Sequence, residues 1–230
     1  MSEEPLFHMD EECREQNDIN IFVRDAMPGE WRNYANELRD SAELLWKDRG
    51  NELRTEYQEY VEVEDGKPVV RTETKKVYSI SRTYVLLAGF ALENLLKGCL
   101  VASNSSLVND GKLDDELKTH ELASLVQKIE DLSLEEAEKE FCEIAESAIP
   151  YWGRYPVPLA HNDVMPEVGM DDELRDGFLS LFSRLDEKLY MDVRDGWQSG
   201  IGVNSIMKYD ARYDSEERKR KVFGTDKNSE

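Results

Sequence analysis

Arg154 and His161 stand in a proline-rich stretch with six residues between them, and Trp152 and Tyr155 lie beside them. A guanidinium is a fixed positive fork that fits a phosphate, and an imidazole gains or loses a proton near neutral pH. Such a pair can hold a phosphodiester while protonating a leaving oxygen or deprotonating a ribose hydroxyl, with no metal required. Aromatic neighbours add faces on which an unpaired base can stack. Seven extended steps span about 23 Å, so spacing alone does not bring the two side chains together. The alternative is structural, with Arg154 capping carbonyls and His161 hydrogen-bonded inside its loop.

Glu93 and Lys97 form a second pair, four residues apart and acid first, in the most apolar part of the chain. On an exposed helix this is an intrahelical ion pair of about 0.3 kcal/mol. Buried, the same pair gains a functional reading, because ionised groups in an apolar helix need partners. Both readings stay open, the second making Glu93 and Lys97 substrate-binding groups. No metal site is expected: His8, His120 and His161 are scattered, and no two His or Cys have ligand spacing. Cys13, Cys99 and Cys142 are odd in number and far apart, which suits reduced structural thiols in a cytoplasm. Neither Gly200 nor Gly202 is followed by the lysine and hydroxyl residue of a phosphate-cradling loop.

The elements that must position these residues are mostly helical. Trp31, Tyr34, Ala35, Leu38, Ala42, Leu45 and Trp46 recur at three- and four-residue steps, which predicts an amphipathic helix reaching Tyr57. From Tyr60 to Lys75 the period falls to two around Asp65-Gly66, a β-hairpin that needs covering by helices or a partner chain. Helical period resumes from Val77 to Ala102, and Tyr84 to Leu92 is apolar on every face, the mark of a bundle centre or subunit interface. A short helix with Leu122, Leu125, Val126 and Ile129 follows His120. Ser133 and Glu136 then read as a capping box for a helix that Pro150 ends. Tyr151 to Met170 has no period, and a loop so long is more often functional or disordered than a mere connection, its aromatics Tyr151, Trp152 and Tyr155 arguing against simple disorder. A last helix starts near Asp171, with Leu174, Phe178, Leu181, Phe182, Leu185 and Leu189 as its buried stripe.

The chain carries 50 Asp and Glu against 29 Lys and Arg over 230 residues, a net charge of -21. A generally basic nucleic-acid coat is excluded, because phosphate affinity comes from many Lys and Arg contacts. Any nucleic-acid contact is local, in a cleft. The first eighteen residues hold seven acids and one arginine, the reverse of a secretory leader. Tyr84–Ala102 is long enough to raise a membrane question, but Glu93, Asn94 and Lys97 in its middle make it a buried helix. The expectation is a cytoplasmic protein with no membrane contact and no cofactor. Its parts are an acidic arm over 1–27, a helical body over 28–192 with the hairpin inserted at 60–75, and a charged extension over 193–230.

The order Phe90-Ala91-Leu92-Glu93-Asn94-Leu95-Leu96-Lys97-Gly98, then His120-Glu121-Leu122-Ala123-Ser124-Leu125, then Arg154-Tyr155-Pro156 before a final amphipathic helix resembles the HEPN superfamily. The resemblance covers about Val77 to Leu189, with Trp31 to Trp46 as first helix. It implies an all-α fold, an up-and-down bundle of four to five helices, here with an inserted β-hairpin, and a homodimer. Many relatives are metal-independent endoribonucleases of toxin-antitoxin, phage-defence and RNA-processing systems, with an Arg and a His four to six residues later in a composite site. Arg154 and His161 would fill those roles, although Tyr155-Pro156-Val157-Pro158 departs from the polar residue that commonly follows the Arg. Other relatives are non-catalytic modules that bind nucleotides or protein partners such as an antitoxin or a nucleotidyltransferase. Both classes stay open, the second favoured by the acidic surface.

Overall fold

The computed structural model describes residues 11–50, 52–78, 80–152, 170–200 and 208–209. The chain is mostly helical, with one long antiparallel hairpin. The order is α1 (Glu11–Asp25), α2 (Pro28–Arg49), β1 (Leu53–Glu64), β2 (Lys67–Tyr78), α3 (Ser81–Ser103), two single 3-10 turns, α4 (Leu122–Gln127), α5 (Glu136–Trp152), α6 (Asp172–Val193) and the two-residue strands β3 (Trp197–Gln198) and β4 (Lys208–Tyr209). These residues fall into two compact units. One is drawn from Met1–Ala35, Glu93–Leu132 and Ser183–Glu230, the other from Asn36–Leu92 and Ser133–Phe182.

Local chemistry sets the helix ends. Pro28 opens α2, where its missing N–H costs nothing, and Lys47 and Arg49 close it at the negative end of the dipole. Asp171 caps α6 by accepting the Leu174 N–H at 3.0 Å. The hairpin turn is Asp65-Gly66, with φ of 51° and 74°, the left-handed pair that a two-residue loop requires.

Several boundaries differ from the sequence reading. The first amphipathic helix stops at Arg49 rather than Tyr57, and the hairpin runs from Leu53 to Tyr78 rather than 60–75. Leu53 with Tyr57, and Val77 with Ile80, stand three or four residues apart, a spacing that continues a helical period although Leu53, Tyr57 and Val77 lie in strands. For the same reason α3 starts at Ser81, not Val77. The cap of α5 lies two residues later than Ser133 and Glu136: Glu138 accepts the Glu135 N–H at 3.0 Å and the Ser180 hydroxyl at 2.8 Å. Pro150 sits inside α5, which continues to Trp152. The described part of the acidic arm is helical, with Glu11 and Glu12 in its first turn and Val23 buried.

In the first unit Leu95, Leu96, Leu117, Leu122, Leu125, Leu185 and Leu189 are buried together with Trp197, whose Nε1 donates to the Val101 carbonyl at 3.2 Å. Arg32 is buried there too, donating to Asp186 at 2.7 Å beneath the Tyr190 ring. In the second unit the core is aromatic. Tyr84 meets Phe178 edge-on at 6.0 Å, and Phe178 meets Phe141 at 5.3 Å and Phe182 at 5.8 Å. Helix α3 is long and apolar enough to cross a membrane, but 72% of that stretch is buried inside the fold.

Candidate functional site

Helix α3 brings an ion pair into the first unit. Lys97 Nζ lies 2.6 Å from Glu93 Oε1, and each side chain is only 7% exposed. One helical turn separates them, so the backbone of α3 sets this geometry. His120 reaches the same carboxylate from outside. Buried Leu117 and Leu122 bracket it and pin the segment before α4, and Thr119 Oγ1 accepts the Glu121 N–H at 3.0 Å. His120 Nδ1 lies 2.9 Å from Glu93 Oε2, while the ring is 57% exposed. With its proton on Nδ1, His120 donates to Glu93 and leaves Nε2 with no partner among the described residues. A carboxylate on one ring nitrogen fixes the tautomer and the orientation of the ring, so that the other nitrogen is presented in a defined direction. Lys97 holds the carboxylate in place.

The second unit holds a different buried carboxylate. Tyr84 donates its hydroxyl to Glu43 Oε1 at 2.6 Å, and Arg175 adds Nε at 3.2 Å to Oε1 and Nη2 to Oε2. Burial first, then the adjacent carboxylate, pushes the Tyr84 phenol above its ordinary value, so it stays a donor. Burial opposes the Arg175 charge, but the hydrogen bond and attraction from Glu43 outweigh it and hold the guanidinium above its usual range. Arg175 also lies over Trp46 at 5.4 Å. Every group is turned toward another within the cluster, which makes it a clamp joining α2, α3 and α6.

An open cleft of about 660 Å³ in the first unit is lined by Cys99 and Ser103 of α3, Lys128 and Glu130 after α4, and Lys188 and Asp192 of α6. Its cations are matched by acids: Lys188 pairs with Asp192 at 3.1 Å and Lys128 with Glu116 at 3.3 Å. Burial pushes the Cys99 thiol up to about 12, and burial with the acids of α5 does the same for Cys142, so neither is an activated nucleophile. Among the described residues no group of His, Cys, Asp and Glu is placed to hold a metal ion.

Of the residues singled out from sequence, Glu93 and Lys97 come together in the interior of the first unit. Trp152 ends α5, but its side chain, and Arg154, Tyr155 and His161 entirely, lie outside the described residues. Sequence reasoning missed His120 as a member of the site, since its partner is 27 residues away. The signal available was a histidine just ahead of an apolar helix. It missed the Glu43 clamp as well, whose partners are 41 and 132 residues distant. Compared with protein-family models, with curated proteins and with solved structures, the chain matches none of them.

Proposed function

We propose that this chain is a HEPN-like, up-and-down helical bundle, homodimeric and cytoplasmic, that cleaves single-stranded RNA without a metal in a defence or stress response. The observation that carries the reading is the bond between Glu93 and His120. The two segments on which the resemblance rests, Phe90–Gly98 and His120–Leu125, are joined side chain to side chain, as parts of one site are.

In this reading Arg154 holds the phosphate, and His161 takes the proton from the ribose 2′-hydroxyl or returns one to the leaving 5′ oxygen. The 2′ oxygen bonds to phosphorus as the 5′ oxygen departs, leaving a cyclic phosphate and a 5′-hydroxyl. Trp152 and Tyr155 stack an unpaired base. Glu93 and Lys97 serve by fixing His120 rather than by touching the RNA, since each satisfies the other in the interior.

The test is incubation with mixed cellular RNA in EDTA, beside Arg154→Ala and His161→Ala variants of unchanged circular dichroism. Cleavage to cyclic-phosphate ends that both substitutions abolish is the expected result. Absence of cleavage by the wild type, or cleavage indifferent to both, rejects the nuclease. The second reading, a module that binds a protein or a nucleotide, would then take its place, favoured by the exposed hairpin. Protection of the thermal transition by added nucleotide would separate its two forms.

A further inference from the structure

The ribbon β1–β2 has one polar and one apolar face, and both are in water. The register pairs Val61 with Val70, Val63 with Pro68, Tyr57 with Thr74, Glu59 with Thr72 and Thr55 with Lys76. Alternation along each strand places Leu53, Thr55, Tyr57, Glu59, Val61 and Val63 on one face with those partners. On the other face Arg71 binds Glu62 at 2.5 Å and also Glu64. The first face is the apolar one, yet Leu53, Tyr57, Val61, Val63 and Val70 are 54–73% exposed. No described side chain of the ribbon is buried.

We infer that the apolar face of the ribbon is the docking surface for the same face of a second copy of this chain. This stands apart from the nuclease reading, because it uses neither Arg154 nor His161. Three observations select a second copy over another occupant. The first is area: five such side chains offer roughly 500 Å² per copy, and the threonines between them bring the face toward the roughly 800 Å² per partner of a stable interface.

The second observation is charge. Two chains of net charge -21 repel, but residues 53–78 hold six acids and five bases, a net of -1. The ribbon is therefore a segment on which two copies can approach without that repulsion. The third is how those charges divide. By the register, Glu59 and Lys76 are the charged positions of the apolar face, one acid and one base, and the other charged positions of both strands fall on the opposite face. Turning a second ribbon about the long axis, face to face, therefore brings two nearly uncharged faces together. The contact is then isologous. The apolar rows of Val and Thr close against each other in the manner of two small sheets packed about 10 Å apart.

The test is sedimentation equilibrium of the full chain at micromolar concentrations, comparing wild type with a Val61→Thr, Val63→Thr, Val70→Thr triple variant. A Tyr60→Ser, Val69→Thr variant alters the opposite face as a control. Threonine keeps the strand preference while removing apolar surface. The expected result is a dimer whose dissociation constant rises roughly a hundredfold or more in the triple variant and little in the control. A wild-type chain monomeric throughout, or a dimer that the triple variant leaves intact, overturns the inference. Amide exchange on the unmodified protein provides a check free of substitutions. Exchange across Leu53–Tyr78 should slow as concentration rises, and an unchanged rate through dimer formation also rejects it.

Discussion

At the residue scale, the buried ion pair makes the sharpest demands. Glu93 and Lys97 have given up water, and breaking one half of such a pair strands the other charge. Lys97→Met should therefore destabilise the chain by about 3–5 kcal/mol, whereas His120→Ala, which keeps the pair and removes one half-exposed bond, should cost about 1 kcal/mol. The Glu93→Leu, Lys97→Met double variant should recover most of the loss, since apolar replacement leaves no buried charge unpaired and the half-exposed His120 can turn its nitrogen to water. Urea midpoints of the three proteins check this ordering, and equal losses for Lys97→Met and His120→Ala would contradict it. Titration gives a second residue-scale prediction. Cys99 and Cys142 hold their protons to about 12 when folded, against 9.0 for a free thiol. The folded state binds these protons more tightly than the unfolded one, so the stabilisation is complete below pH 9 and is lost as pH climbs from 9 toward 12. Buried Tyr84 acts in the same direction, starting from its ordinary value of 10.0. Unfolding free energy measured from pH 8 to 11 should fall, and Cys142→Ala should make the fall shallower.

At the element scale, two glycines mark where helices approach too closely for a side chain. A Cβ on Gly98 of α3 would lie 2.8 Å from Leu189 Cδ2 and 3.0 Å from Trp31 Cβ, while one on Gly177 of α6 would lie 2.5 Å from the carbonyl oxygen of Ala137. The leucine end can rotate away and Trp31 Cβ must yield by only a few tenths of an ångström, but a backbone carbonyl at 2.5 Å cannot give so much. Alanine gains about 1 kcal/mol of helix preference at either site, so Gly98→Ala should be nearly neutral and Gly177→Ala should lose about 1–3 kcal/mol from overpacking. Thermal denaturation of both variants decides it, with a stable Gly177→Ala as the contrary outcome. The same packing explains what was legible in the sequence. Leu174, Phe178, Leu181, Leu185 and Leu189 had to share one stripe of α6 because one stripe is what a helix can bury, and all five are buried. Asp65-Gly66 announced its turn through backbone stereochemistry. The full length of the ribbon did not show, because Leu53 and Tyr57, four apart, continue the helical step of α2 as readily as they share one face of a strand. The helix α1 was hidden for another reason, since an acidic segment with few buried side chains reads as solvent-facing chain. For the site, Glu93 with Lys97 was legible because one helix fixes the spacing. His120 was not, since a histidine ahead of an apolar helix does not name a partner 27 residues away in sequence.

At the scale of the whole molecule, the net charge of -21 is the largest single fact, and it is unevenly spread. Residues 111–146 hold twelve acids and four lysines, whereas residues 53–78 are nearly balanced. Folding gathers the acidic surface into a smaller volume than the unfolded chain occupies, so self-repulsion opposes the folded state more than the unfolded one. Salt screens that repulsion, with a Debye length of about 10 Å at 0.1 M and about 3 Å at 1 M. The attractive pairs that matter most are sheltered: Arg32–Asp186 and Glu93–Lys97 are buried and scarcely screened. Exposed pairs such as Lys118–Asp115 and Lys139–Glu143 contribute little to begin with. Raising sodium chloride from 20 to 300 mM should therefore raise the Tm by several degrees and then level off, as the Debye length falls below the spacing between surface acids. Dimer formation should strengthen over the same range, because the two bodies repel while their ribbons do not. A Tm that falls with salt would mean that exposed ion pairs outweigh the net charge. Calorimetry across that salt series, run beside the sedimentation experiment, separates the charge effect on folding from its effect on association.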